Sequence, residues 1–415
     1  MPCSLLRIRS TTTAAGAAVS GALPGRRRDA PVCGEAAAPA LHIRRESKRL
    51  ANARLQALRA ALARRVPKAG ALLVSGEANR RYVSGFRGDT GWLWVTATDA
   101  AILADSRFWE QAAAECPDWR LVKVEKAGTD ELVAQECQAA GVTALAVEPP
   151  HLTWATYRTL HRRLRGVRLL AAPGLIEDLR EAKEPAELDA IRRAAAIADR
   201  ALAEWVPLVR PGATEADLAL ELDLRMRRLG AEGTAFPTIV ATGAHGAMAH
   251  AIPGSAPLQS GDVLVVDFGA VVDGYRSDMT RTLFVPGAPP PDEARHVVEV
   301  VARALGVGLA AVRPGARCLA VDTAAREAIA AAGYGDYFGH GLGHAVGLDI
   351  HEGPSFSPRT RREVRVPAGA VMTVEPGIYL PGRFGVRLEQ LVAVGADGNE
   401  VLSRAPLLPE ALAAG

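Results

Sequence analysis

Residues 263–282 read VLVVDFGAVVDGYRSDMTRT. An apolar run carries a single acid, Asp267, and Asp273-Gly274 is a strong hairpin-turn signal. The returning strand places a second acid, Asp278, ahead of MTRT. Across a two-residue turn these positions have the same parity, so both side chains point to one face, directly opposite or diagonal. Residues 371–394 read VMTVEPGIYLPGRFGVRLEQLVAV and repeat the design: Glu375 ends the run VMTV, and Glu389 follows GVRL. Strands of this composition carry core residues at such places. Two carboxylates on a buried face repel unless a cation or a shared proton intervenes.

Outward from the hairpins, the two halves of this region match. VRPGA occurs at Val209–Ala213 and at Val312–Ala316, each copy between two helix-like segments and tens of residues before a hairpin. The order helix, helix, histidine, hairpin therefore appears twice. It predicts a duplicated α+β unit folded about a pseudo-twofold axis, with the hairpins meeting in the middle. EAKEPAEL opens the first helix with Pro185 in its first turn, a favoured position. Leu188, Ile191, Ala195, Ala198, Leu202 and Trp205 form its apolar stripe. Thr214 reads as the N-cap of the next helix, with Asp217 near the capping-box position; Leu218, Leu222, Met226 and Leu229 make its inner face.

Ahead of this region, β-rich runs (ALLVSG, RYVSGF, WLWVTA, ALAVEP, VRLLAAP) interleave with helical segments at Asp130–Ala140 and Trp154–Leu164. Alternation of this kind predicts an α/β domain. The expected organisation is a disordered extension over 1–45, an α/β amino-terminal domain over 46–182, and an α+β domain over 183–415. The Arg-rich, acid-poor extension also fits a transit peptide, a secretory signal or a mis-called start.

The chain has 415 residues, 49% hydrophobic and 23% charged, which is a globular composition. It has no apolar run of about 18 residues, so no membrane-spanning helix is expected; the longest candidate, Val297–Val312, is broken by Glu299 and Arg303. The net charge of +3 is local: seven arginines against two acids give residues 1–45 +5, and the remainder is −2. A body so near neutrality argues against nucleic-acid binding. Five widely spaced cysteines without CxxC argue against a disulfide framework or thiolate zinc site, and favour inert buried thiols and a cytoplasmic location.

Six of the nine histidines lie between 245 and 351, three of them in HGLGHAVGLDIHEGP (residues 340–354). HExxH is absent and glycines break any helix there, so His340, His344 and His351 are not a zincin pair. Taken singly, each reads equally as a hydrogen-bonded structural histidine. Taken with the acids, four carboxylates and one imidazole suit two divalent cations, −4 against +4. Hard oxygen ligands with one nitrogen favour Mn²⁺, Co²⁺, Fe²⁺ or Zn²⁺. Two such cations roughly 3.5–4 Å apart activate a water for attack on an acyl carbon. One histidine is expected to bind metal and the others to act on substrate or the developing oxyanion.

FPTIVATGAHGAMAHAIPG, VVDFGAVVDGYRSDMTRT, FGHGLGHAVGLDIHEGP, VMTVEPGIY and GVRLEQ together resemble the pita-bread metallopeptidases, the family of Xaa-Pro aminopeptidase, prolidase and methionine aminopeptidase. NRRYVSGFRGDTGWL, from Asn79, resembles the creatinase-like amino-terminal domain of the proline-directed branch. The resemblance implies that Asp267 binds one metal terminally, Asp278 and Glu389 bridge both, and His344 and Glu375 bind the second. It implies that Glu375 also shuttles a proton, that His250 and His351 lie near the scissile carbonyl and leaving amine, and that His340 and Arg387 line or support the site. Gln390, Ala345 and His245 depart from the family's usual Asp, Gly and Asn without removing a ligand. The implied function is hydrolysis of the Xaa-Pro bond at the amino terminus of peptides by two divalent metals, manganese first among them, in a homodimer. The alternatives are an Xaa-Pro dipeptidase acting on proline-containing dipeptides and, more remotely, a non-catalytic pita-bread binding protein or a metal-free hydrolase.

Overall fold

A computed structural model describes residues 52–407. The extension over 1–45 lies outside the described residues. The amino-terminal part is built on a six-stranded sheet in the order Arg120–Val124, Ala100–Asp105, Trp92–Thr96, Ala71–Val74, Ala144–Val147, Arg168–Ala171. Trp92–Thr96 pairs antiparallel with both its neighbours, and the other three pairings are parallel. Period-two alternation covers both faces. Leu72 and Val74 pack with Leu58 and Leu62 of the helix over 52–65, whereas Leu73 packs with Val133 and Leu160 of the helices Thr129–Ala139 and Trp154–Arg163.

One run departs from expectation. RYVSGF is not a strand: Arg81 to Ser84 close the helix Glu77–Ser84, and Gly85 ends it in the left-handed region at φ 82°. A helix whose interior residues Asn79, Tyr82 and Val83 are buried at three- and four-residue steps outweighs the β tendency of one Tyr-Val pair.

The duplication is plain in the second part. Helices Pro185–Trp205 and Glu215–Arg228 in the first half correspond to Asp292–Ala311 and Cys318–Ala331 in the second. The first opens with Pro185 and a capping box of Glu184 with Glu187, and Thr214 Oγ1 accepts from the Asp217 amide at 3.1 Å. Both VRPGA links turn on a left-handed glycine, Gly212 (φ 85°) and Gly315 (φ 77°). Both are pinned by the same pair of backbone bonds: Gly212 and Ala213 to Leu258, Gly315 and Ala316 to Val366. A motif that reads as a weak repeat is thus a structural repeat.

Each half packs its helices on its own hairpin. Trp205, Leu222 and Met226 bury Val266 and Phe268, while Val301, Leu305 and Val321 bury Met372 and Val374. Each fully buried large apolar side chain contributes about 1.5–3 kcal/mol, which fixes the register and hence which face carries the acids. The hairpins then meet. The Glu389 amide donates to the Thr280 carbonyl at 3.1 Å, and Thr282 Oγ1 donates to the Arg387 carbonyl at 2.9 Å. Arg281, fully buried, donates to the Thr280, Glu389 and Ala405 carbonyls and locks the junction. Among the described residues no helix is long and apolar enough to cross a membrane.

Candidate metal centre

The strand Val263–Phe268 pairs with Met279–Phe284 so that Asp267 faces Thr280. The register continues through the Asp273-Gly274 turn, both residues at positive φ, and leaves Asp278 diagonal to Asp267 on the same face. In the second hairpin Val374 faces Gln390 and Gly377 faces Arg387, so Glu375 and Glu389 stand directly opposite. Same parity holds in both hairpins, but the two pairs are offset differently.

Oxygens of Asp267, Asp278 and Glu389 all lie within 4.8 Å of one another. The strand Gly343–Ala345 brings His344 to them. Its Nε2 lies 3.4 Å from Glu375 Oε1 and 3.7 Å from Asp278 Oδ2. His344 Nδ1 donates to the Ala345 carbonyl at 3.1 Å, which leaves the Nε2 lone pair directed at the acids. Burial holds this imidazole below its ordinary pKa, so it is neutral, as a ligand must be. Gly343 is required for this approach: a Cβ there would stand 2.1 Å from the Thr373 carbonyl oxygen.

Burial is the main influence on the ionisation of these acids. It pushes Asp278 and Glu389 well above the carboxylate range, reinforced by the neighbouring carboxylates, and Glu375 up to about 7. Thr280 donates to Glu389 Oε2 at 2.7 Å, and Thr373 to Glu375 Oε1 at 3.2 Å. Two buried oxygens, Asp267 Oδ1 and Glu389 Oε1, have no donor among the described residues. Buried carboxylate oxygens rarely go unpaired, and this pair lies where cations would supply the missing partners. Four carboxylates, one neutral imidazole and two orphaned oxygens fit a dinuclear site for hard divalent ions.

Arg387 alters the charge balance expected from the sequence. Its guanidinium donates to Asp267 Oδ2 at 2.5 Å, to Thr280 Oγ1 at 3.0 Å, to the Ala249 carbonyl at 3.1 Å and to the Tyr379 hydroxyl at 2.7 Å. Burial opposes its charge, but Tyr379, Asp267 and Glu375 outweigh that and raise its pKa. Four acids cancel two divalent cations, so with Arg387 the filled centre is one unit positive.

A cavity of about 560 Å³ opens onto this face. His250, His340 and His351 line it, with Phe236, Ile252, Ile350 and Phe356 as apolar walls. The His351 ring meets that of His344 at 4.4 Å, edge to face. His340 has both nitrogens engaged: Nδ1 donates to the Gly341 carbonyl at 2.8 Å, and Nε2 accepts from the Tyr379 hydroxyl at 2.9 Å. Burial lowers its pKa to about 4. Tyr379 is a residue the sequence reading passed over. It lies inside the quoted run VMTVEPGIY, but nothing in that run shows that it joins His340 to Arg387. His245 is turned away from the cavity lining and pairs with the buried Glu215 at 2.8 Å. Cys116, Cys137 and Cys318 are buried and do not line the cavity, their thiols pushed up by burial to about 12, 11 and 11.

The model of metallopeptidase family M24 matches residues 189–396, half of the chain, and that of the creatinase/prolidase N-terminal domain matches residues 54–182. The chain belongs to metallopeptidase family M24. Enzymes of this family use two divalent metals, in keeping with the orphaned oxygens above. An uncharacterized peptidase, YqhT of Bacillus subtilis strain 168, is 34% identical over 336 residues, 81% of this M24 chain and 94% of its own. A putative Xaa-Pro aminopeptidase of Mycoplasma pneumoniae is 33% identical, covering 79% and 90%. The solved Xaa-Pro dipeptidase from Bacillus anthracis is 32% identical with a TM-score of 0.82, over 86% of this chain and 99% of that one. The α/β amino-terminal domain and the pita-bread catalytic fold expected from the motifs are both present.

Proposed function

We propose that this M24 chain is an Xaa-Pro aminopeptidase holding two divalent metals, with manganese the first choice. The observation that carries the reading is the convergence of Asp267, Asp278, His344, Glu375 and Glu389 around two buried oxygens without donors. In this reading Asp267, Asp278, His344, Glu375 and Glu389 would hold the two metals. The metals, when bound, polarise the scissile carbonyl and lower the pKa of the attacking water.

The chain's own groups divide the remaining work. Glu375 takes the water's proton and hands it to the proline nitrogen, which has no hydrogen of its own in the bond. His351 and His250 face the cavity and donate to the oxyanion and the leaving group. Burial is the main cause that lowers the pKa of His351, so it donates as a neutral imidazole. Arg387 and Tyr379 brace Asp267 and His340 at the back wall.

Aminopeptidase is preferred over dipeptidase on charge. A dipeptide presents its terminal carboxylate inside the pocket, where it needs a free cation. Among the described residues lining the cavity, Arg387 is the one Lys or Arg, and four of its five N–H groups are already engaged. The dipeptidase reading is favoured by the name of the Bacillus anthracis structure. Hydrolysis of Xaa-Pro against Xaa-Pro-Yaa peptides of graded length separates the two: the tripeptide and longer substrates are expected to be cleaved faster, and confinement of activity to dipeptides overturns the preference. A homodimer, a cytoplasmic location, and a boundary near Lys183 between domains spanning 46–182 and 183–415 belong to the same proposal.

A further inference from the structure

His351 is carried on an irregular stretch between the strands Gly343–Ala345 and Glu352–Phe356. Its ring makes no hydrogen bond within the described residues, so its aim depends on the backbone that carries it. That backbone is gripped on both sides by one side chain. Arg180, only 4% exposed, ends the short helix Glu177–Arg180 at the close of the amino-terminal domain. One terminal nitrogen donates to Asp349 Oδ2 at 2.8 Å and to Glu352 Oε1 at 2.5 Å. The other donates to Asn79 Oδ1 at 2.7 Å, on the helix Glu77–Ser84 of the amino-terminal domain. Glu352 Oε1 also accepts from the Asp349 amide at 3.1 Å, which closes the loop on itself, and Lys183 secures Glu352 Oε2 at 2.9 Å.

We propose that Arg180 is a positioning residue for His351, holding the loop that carries it through Asp349 and Glu352 and anchoring that loop to the amino-terminal domain through Asn79. A guanidinium suits this task because its planar fork fixes several acceptors at once, which an ammonium cannot do. The buried charges make the arrangement discrete: Arg180 and Glu352 are each costly to leave unpaired, so the loop has one well-satisfied position. The amino-terminal domain thereby acts on turnover without contributing an atom to the cavity lining. This inference rests on the assignment of His351 made above.

The test uses the full-length, manganese-loaded enzyme and Xaa-Pro-Yaa peptides. Asp349→Asn and Arg180→Lys are made alone and in combination with His351→Ala. Asp349 is 47% exposed, so its amide variant tests the grip even if Arg180→Lys does not fold. Each single variant is expected to lower kcat about tenfold, with KM and metal content unchanged, because a small misplacement of a catalytic group costs rate rather than binding. On the His351→Ala background the same changes are expected to have no further effect. Unchanged kcat in the foldable single variants, or an equal fall with and without His351, overturns the proposal. Wild-type turnover in His351→Ala alone overturns the assignment of His351 itself, and this inference with it; an impaired His351→Ala beside a fully active Asp349→Asn overturns only the positioning role.

Discussion

Asp278 and Glu389 are buried acids raised by desolvation and by neighbouring carboxylates, and Glu389 keeps an oxygen with no donor among the described residues. Asp278→Asn keeps the shape and removes the charge. It is expected to lose metal and activity together, with kcat/KM down at least about a hundredfold; elemental analysis beside peptide hydrolysis checks both. His351→Ala is expected to lower kcat by about a hundredfold or more while metal content stays near that of the parent, the usual size of a lost proton-transfer or donor group. Absence of metal from that variant would make His351 a ligand instead. At this scale the acids were legible because each interrupts an apolar strand run, and parity alone put Asp267 with Asp278 and Glu375 with Glu389. Arg387 was legible as a basic neighbour of the acids, but which acid it holds depends on where the two hairpins cross. Arg180 carries no pattern at all, because its partners Asn79 and Glu352 lie 101 and 172 residues away, and Tyr379 is marked by nothing that ties it to His340, 39 residues away.

The strands and helices place these groups through close backbone contacts. Gly343 lets its strand approach Thr373, whose hydroxyl also accepts from the His344 amide at 3.0 Å. Gly343→Ala is therefore expected to push the strand away, cost about 1–3 kcal/mol in urea unfolding, and reduce metal content through the displacement of His344. Thr214→Ala removes a cap far from the centre. It is expected to cost about 0.5–2 kcal/mol and to leave kcat and metal content unchanged. The capped helices and both hairpins were readable from caps, stripes and the turn at Asp273-Gly274. RYVSGF was misread because a short apolar run has no period of its own, and the glycine that ends a helix looks the same as one that bounds a strand.

Across the whole molecule, metal and folding are linked. Without cations, burial holds Glu375 at about 7 against an ordinary value of 4.5. A carboxyl raised in the folded state binds more protons there than in the unfolded chain, so its ionisation destabilises the fold as pH rises from about 4.5 to about 7. Asp278 and Glu389 act in the same direction. Stripped protein is therefore expected to lose thermal stability across that range, and added Mn²⁺ to raise Tm more at pH 8 than at pH 5.5, because uptake at the lower pH must displace protons. A Tm gain from Mn²⁺ that is independent of pH would show that these carboxyls are not the ligands. The duplicated architecture was visible in VRPGA and the paired hairpins. The coupling between domains through Arg180 was not, because it is made by tertiary contact alone.

The most direct test is to strip the purified chain of metal, add back Mn²⁺ in steps, and follow bound metal and Xaa-Pro-Yaa hydrolysis in the same samples, with Asp278→Asn alongside. The parent is expected to take up two ions per chain, with activity rising as the pair fills, and the variant to recover neither. Full hydrolysis by the stripped protein, or two tightly held ions in Asp278→Asn, would contradict the dinuclear centre on which the reading depends.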